Sequence, residues 1–127
     1  MEYKGMEYNI TAGQREMLRT LYKALDDKFG EDIVILDIRE ISIMADFFVI
    51  ATGGNPNQVK AMSDEAGDKL GAMGVRMNHI EGYHTANWIL LDFSSVIVHI
   101  FDKESRSFYN LERIWADAPI IRLDDAE

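Results

Sequence analysis

The amino-acid sequence predicts an α/β protein of the α+β type, in which a mixed sheet of roughly five strands is flanked by helices. Two long segments place apolar side chains every three or four positions, which is typical of amphipathic helices. Several short runs of β-branched and aromatic residues have the length of buried strands. Their order along the chain is helix, two strands, helix, three strands and a short helix, and one sheet covered by helices satisfies this order most simply.

Both long helices have recognisable start and stop signals. Thr11 can cap the first helix, and Gln14 completes a capping-box pattern three residues later. Gly30 is expected to end this helix at the C′ position. The second helix is predicted to begin after Asn55, because Asn at the N-cap followed by Pro is a strong start signal. Gly74 is expected to end it.

The predicted strands are short apolar runs bounded by polar or turn residues. They lie at residues 32–38, 46–52, 75–81, 88–93 and 96–101. The charged and aromatic segment 102–115 is expected to form a loop and a short helix. We therefore place the domain at residues 11–119, between a flexible N-terminal tail at 1–10 and an acidic C-terminal tail at 120–127.

The last two predicted strands are separated only by Ser94-Ser95, which favours a hairpin. In this register the strand residues on one face are all apolar, because side chains alternate across a strand. The expected pairs are Phe93 with Val96, Leu91 with Val98, and Ile89 with Ile100. This face is predicted to belong to the core.

The opposite face of the hairpin mixes large apolar groups with polar ones. It carries Trp88, Leu90 and Asp92 on one strand, and Ile97, His99 and Phe101 on the other. Because an unpaired buried carboxylate is costly, this face is expected to be at least partly exposed, as an interaction surface anchored by the tryptophan. The alternative is that the C-terminal segment folds over the face and makes Trp88 part of the core.

Charge and composition narrow the classes of function. The chain has 13 Lys and Arg against 22 Asp and Glu, a formal net charge of -9, and no basic run. Direct binding of nucleic acid is therefore not the expected source of affinity, whereas a basic protein surface would be attracted. The absence of cysteine excludes a disulfide framework and a cysteine nucleophile. With no apolar leader and no run long enough to span a membrane, the protein is expected to be cytoplasmic.

Catalysis, metal binding and cofactor binding are not expected. Nucleotidyl transfer needs a Gly-Ser phosphate-binding pair followed by an Asp-x-Asp metal dyad, and the chain contains no Gly-Ser. The three histidines, His79, His84 and His99, lack the close spacing of metal motifs. A tight turn is a simpler interpretation of Thr52-Gly53-Gly54 than an anion site.

Several blocks occur in the order found in one family. They are DFFVIATG at 46–53 with QVKA at 58–61; EGY at 81–83, ANWILLD at 86–92 and VHIF at 98–101; and Arg106, Phe108-Tyr109, Leu111-Glu112 and Trp115. Together they resemble the ribosomal silencing factor family, also called the Iojap family. The resemblance covers roughly residues 11–119 in order, and several motifs with consistent spacing make the signal specific.

This resemblance implies a nucleotidyltransferase-like fold without catalysis. It also implies binding to the large ribosomal subunit through universal large-subunit protein fourteen, which blocks joining of the small subunit and represses translation during nutrient starvation. The implied contact residues are Trp88, Leu90 and Asp92, extended to Glu81, Tyr83, His99, Phe101, Arg106 and Tyr109. For Arg106 a structural ion pair is an equal alternative. A homodimer through the Trp88 face is a further alternative.

Overall fold

The computed structural model describes residues 10–123 and places four helices and six strands in them. The helices are α1 (Ala12–Asp27), α2 (Pro56–Ala72), α3 (Lys103–Tyr109) and α4 (Leu111–Ile114). The strands are β1 (Glu31–Asp37), β2 (Phe47–Gly53), β3 (His79–Glu81), β4 (Trp88–Asp92), β5 (Val96–Asp102) and β6 (Ile120–Ile121). The predicted mixed α+β fold is confirmed, with one strand more than the sequence indicated.

The strands form one open sheet in the order β3-β4-β5-β2-β1-β6. The central strands β2 and β5 are parallel, and the other neighbouring pairs are antiparallel. A parallel pair needs a long crossover connection. Here the connection contains α2, β3 and β4. The β3–β4 pair consequently lies at one edge of the sheet, beside β5.

The two faces of the sheet carry separate apolar clusters. Helices α1 and α2 pack on one face, here called the inner face, against side chains such as Phe47 and Val98. On the opposite, outer face a smaller cluster contains Phe48 and Phe101. The C-terminal helical segment packs against this second cluster through Leu111. The alternation of side chains along each strand separates the two clusters.

The predicted hairpin register is confirmed. Residues Ile89 and Leu91 lie opposite Ile100 and Val98, and the backbone N–H of Phe93 donates to the carbonyl of Val96 at 2.9 Å. The strand predicted at 75–81 is wrong in extent, since only His79–Glu81 pairs with a neighbour. The segment 102–115 contains two short helices, not one.

The boundaries of the domain differ from the predicted ones at both ends. Ile120 and Ile121 form β6, which pairs with Leu36 and Ile35 of β1, so the acidic tail does not begin at residue 120. At the other end Ile10 is buried against the inner cluster, so it does not belong to a flexible tail. Ile10 and Ile121 are buried in a core that a local pattern does not reveal. The rest of the two predicted tails, at 1–9 and 124–127, lies outside the described residues.

The start signals of both long helices are confirmed, but the end of α1 is displaced by one residue. The N–H of Gln14 donates to Thr11 Oγ1 at 3.0 Å, and that of Gln58 donates to Asn55 Oδ1 at 2.8 Å. At the C-terminus Phe29, not Gly30, occupies the left-handed C′ position, with φ 64°. A side chain with a Cβ is strained in this conformation.

Replacing Phe29 with glycine should therefore stabilise the protein by roughly 0.5–1 kcal/mol, because glycine adopts positive φ without strain. The Phe29 side chain is 80% exposed, so little packing is lost. Urea unfolding of Phe29→Gly and Phe29→Ala separates the relief of backbone strain from the loss of the aromatic ring. Alanine also removes the ring but keeps the Cβ, and equal stability of the two variants would contradict the prediction.

Candidate functional site

The outer face of the sheet is covered unequally. The helical segment after β5 covers the outer side of β5 and β2, whereas the outer side of β3 and β4 is left open. The register places His79 opposite Asp92, and Glu81 opposite Leu90, on this open part. Together with Trp88 these residues form what we call the Trp88 surface.

The Trp88 surface is apolar at its centre and acidic at its rim. Trp88 and Leu90 are half-buried, while Glu81 is exposed and Asp92 is half-buried. A shallow depression of about 270 Å³ is lined by Trp88, Leu90, Glu81, Gly82 and His79. The five residues of the surface include two carboxylates and neither lysine nor arginine. An apolar centre with a charged rim is the usual anatomy of a protein-binding patch.

The β5 half of the predicted interaction face is buried, which corrects the expectation for its three residues, Ile97, His99 and Phe101. Phe101 is 0% exposed and His99 is 4% exposed. Leu111 and Trp115 pack over this half of the face, with the Trp115 ring centroid 5.2 Å from that of Phe48. The alternative in which the C-terminal segment covers the face thus holds for β5. Trp88, at the margin of the cover, keeps part of its surface in solvent.

Trp88 is held by three side chains. Its indole Nε1–H donates to His99 Nδ1 at 3.1 Å. Its ring lies 5.0 Å from Phe101 and 4.6 Å from Tyr109, measured between centroids. Tyr109 is 45% exposed and comes from α3, so it borders the Trp88 surface. These contacts fix the indole while leaving one side of it accessible.

Next to Tyr109, the ring of Phe108 is 78% exposed and lies 5.0 Å away. Phe108 is not one of the contact residues expected from the sequence. Its aromatic character was visible in the sequence, but its exposure depends on the orientation of α3. Trp88, Tyr109 and Phe108 form a continuous row of aromatic rings at the edge of the covered region.

His99 is a buried imidazole without a charged partner. Burial lowers the pKa of His99 to about 4, so the ring is neutral at pH 7. Because Nδ1 accepts the Trp88 hydrogen bond, Nε2 carries the proton of the neutral ring. This Nε2 is buried and has no hydrogen-bond partner among the residues described.

Tyr83 does not lie on the Trp88 surface. Its hydroxyl donates to both carboxylate oxygens of Asp64 on α2, at 3.0 and 3.1 Å. This hydrogen bond raises the pKa of Tyr83. Lys60 lies over the Tyr83 ring, 5.5 Å from its centroid. Tyr83 therefore fastens the loop before β4 to the helix on the inner face, and its contact with a partner stays a prediction.

Arg106 forms the structural ion pair that was the alternative to a partner contact. Its guanidinium donates two hydrogen bonds to the Glu112 carboxylate, at 3.0 and 2.9 Å. Two further bonds reach the carbonyl of Asp32 at 2.7 Å and Thr52 Oγ1 at 2.9 Å. Only 12% of the side chain is exposed. Arg106 thus ties α3 and α4 to the ends of β1 and β2, away from the Trp88 surface.

Other kinds of site find little support in the part of the chain that the structure describes. Residues 10–123 contain no group of three or more His, Cys, Asp or Glu side chains arranged to hold a metal ion. Within the same range, no helix has the length and apolar character needed to cross a membrane. A polar cleft of about 690 Å³ beside Arg106 contains Glu31 and Glu112. Each of these carboxylates is paired with a cation, Glu31 with Lys103 and Glu112 with Arg106.

Comparison with known proteins identifies one family. Residues 11–127 match the family described as "Ribosomal silencing factor during starvation". The chain is 42% identical over 111 residues to the ribosomal silencing factor RsfS of Bacillus subtilis, covering 87% of this chain and 94% of the relative. It is 34% identical over 104 residues to the chloroplastic protein Iojap of Zea mays, covering 82% of this chain and 45% of that longer protein. These names are those of regulatory factors, not of enzymes.

Solved structures agree with the sequence comparison. A crystal structure from Chromobacterium violaceum superposes with a TM-score of 0.79 at 31% identity, covering 80% of this chain and 85% of that one. A second, from Bacillus halodurans, gives a TM-score of 0.76 at 37% identity, covering 85% and 98% of the two chains. The structural similarity therefore extends over at least 80% of this chain.

Proposed function

The chain belongs to the ribosomal silencing factor family, and on this basis we propose that it represses translation in the cytoplasm by binding the large ribosomal subunit. The partner is universal large-subunit protein fourteen, and the bound factor sterically blocks joining of the small subunit. The observation that carries the proposal is the half-covered, acidic Trp88 surface. It is a patch suited to a protein partner and not to a small substrate.

Charge favours a basic protein as the direct partner. The chain has a net charge of -9, and the carboxylates of Glu81 and Asp92 lie on the Trp88 surface. A polyanionic RNA surface would repel this patch, whereas a basic protein surface would speed the encounter and fix its orientation. The contact residues proposed for this partner are Trp88, Leu90, Asp92 and Glu81, with Tyr109 at the margin.

The buried members of the predicted contact set support the surface from below. Phe101 and His99 lie directly under the indole and contact it. A stable interface buries about 1,600 Å² in total, with most of its energy in a few central aromatic anchors. Trp88 has the properties of such an anchor, because its ring is fixed on one side and accessible on the other.

The alternative of a nucleotidyltransferase-like enzyme finds no comparable support. The cleft beside Arg106 is the nearest counterpart to a substrate site, but two of its three acidic residues, Glu31 and Glu112, are paired with Lys103 and Arg106, which leaves Asp32 as the third. Two-metal phosphoryl chemistry needs carboxylates that are free to coordinate cations. We therefore propose that the protein acts by occupancy and not by turnover.

Joining of purified ribosomal subunits, followed by sedimentation, tests the proposed function. Inhibition should saturate at one protein per large subunit. Asp92→Lys should weaken inhibition and make it less sensitive to salt, since an attractive charge at the interface is reversed. Asp68→Lys makes the same charge change on the exposed part of α2 and should have no effect.

Three outcomes would contradict this function. Equal inhibition by the two charge-reversal variants would show that the Trp88 surface is not part of the interface. Turnover of a nucleotide in the presence of magnesium would support the enzymatic alternative. Saturation at two copies per subunit, together with a dimer in solution, would indicate that the Trp88 surface pairs with its own copy.

A further inference from the structure

We propose that His99 is a positioning residue, which holds the Trp88 indole in its binding orientation by accepting the indole N–H. The inference rests on the proposed function, because it assigns a role within the same surface. It concerns a residue that is itself buried and that no partner can touch directly. The supporting contact is the 3.1 Å bond from Trp88 Nε1 to His99 Nδ1.

The stability of the fold does not account for an imidazole at this position. His99 lies opposite Leu90 on β4 and opposite Ile50 on β2, and its ring centroid is 4.6 Å from that of Phe48. An aliphatic side chain would suit such surroundings. The imidazole instead leaves Nε2 buried without a hydrogen-bond partner among the described residues, and a group of this kind costs roughly 1–3 kcal/mol.

The same imidazole provides a hydrogen-bond acceptor for the indole N–H of Trp88. A half-exposed indole has one polar atom, the Nε1–H, and it can only donate. An acceptor fixed in the sheet beneath it favours one orientation of the ring over its flipped alternative. Burial keeps the His99 ring neutral at pH 7, so Nδ1 remains available as an acceptor. An anchor held in one orientation loses less conformational entropy when it binds.

Other polar groups around the ring do not replace this acceptor. Leu111 and Trp115 of the C-terminal segment pack on the same cluster, but neither side chain contains a hydrogen-bond acceptor for the indole. The ring of Tyr109 contacts the indole at a tilt of 47°, with a centroid distance of 4.6 Å. Among the hydrogen bonds of the described residues, His99 provides the acceptor for Trp88.

Two substitutions of similar polarity separate positioning from simple packing. Asparagine can place its amide oxygen near the position of Nδ1, whereas the longer glutamine directs its amide toward the position of Nε2. His99→Asn should keep affinity for large subunits close to that of the wild type. His99→Gln should weaken it about fivefold, the effect of losing one net hydrogen bond. His99→Leu, which removes the acceptor and the orphaned N–H, should lose affinity similarly without losing thermal stability.

The indole proton gives a readout that does not depend on ribosomes. In ¹H–¹⁵N spectra, the Nε1–H resonance of Trp88, assigned with a Trp88→Phe variant, should shift and broaden in His99→Gln and His99→Leu but less in His99→Asn. Wild-type affinity and an unshifted indole resonance in His99→Leu would overturn the inference. If that variant does not fold, equal affinity of the asparagine and glutamine variants would overturn it. Wild-type binding by a Trp88→Ala variant would instead refute the Trp88 surface itself.

Discussion

Truncation of Trp88 to alanine should leave the protein folded and weaken its binding to large ribosomal subunits by roughly 2 kcal/mol or more, about 30-fold. The indole is half-buried at the margin of the outer cluster, so part of its surface is available to a partner. Its removal would leave the centre of the Trp88 surface without its largest apolar group. Leu90 alone cannot fill the same volume.

Cosedimentation with purified large subunits measures this effect, and circular dichroism shows whether the variant is folded. Tyr22→Ala is the matched control, because Tyr22 is an exposed aromatic residue on α1, on the inner side of the sheet. It should bind as the wild type does. If folded Trp88→Ala also binds with wild-type affinity, the anchor is elsewhere and the proposed contact surface is wrong.

The largest effect on stability is expected at Gly82, in the loop between β3 and β4. Gly82 has φ 80°, a conformation that strains any residue with a Cβ. A Cβ at this position would also overlap the backbone carbonyl oxygen of Trp88, which cannot move without disturbing β4. Gly82→Ala should therefore cost roughly 2–4 kcal/mol of the free energy of unfolding.

Denaturant unfolding of Gly82→Ala and Gly71→Ala provides a comparison with opposite expected signs. Gly71 lies within α2, and a Cβ there would meet no atom within 4 Å. Gly71→Ala should stabilise the protein by roughly 0.5–1 kcal/mol, because alanine has the higher helix propensity. Should Gly82→Ala prove as stable as the wild type, the close approach of the loop to Trp88 would be disproved.

Local sequence patterns were sufficient to predict those elements that are stabilised by interactions between residues close together in the chain. The caps at Thr11 and Asn55 depend on hydrogen bonds within one turn, and the β4–β5 register depends on alternation across a two-residue connection. The two isoleucines of β6 were too short a run to indicate a strand. The two isoleucines form a strand only because the edge of β1 is available to pair with them.

The candidate site was predicted in part, since exposure depends on distant segments. The alternation of side chains predicted that Trp88 and Phe101 share one face of the sheet. It did not predict the position of the helical segment, which buries Phe101 and leaves Trp88 half-buried. The roles of Tyr83 and Arg106 depend on Asp64 and Glu112, whose proximity follows from the folded chain. The sequence indicated that the surface is aromatic and acidic. It did not indicate which of the predicted residues are exposed on that surface.

The parallel pairing of β2 with β5 also has a kinetic consequence. The central pair joins strands that are separated in the chain by α2, β3 and β4. Closing so long a loop is entropically costly and slows the assembly of a sheet. During synthesis, β4 emerges before the strand that must lie between it and β2. The indole of Trp88 therefore acquires its supporting neighbours only when nearly the whole polypeptide has left the ribosome that makes it.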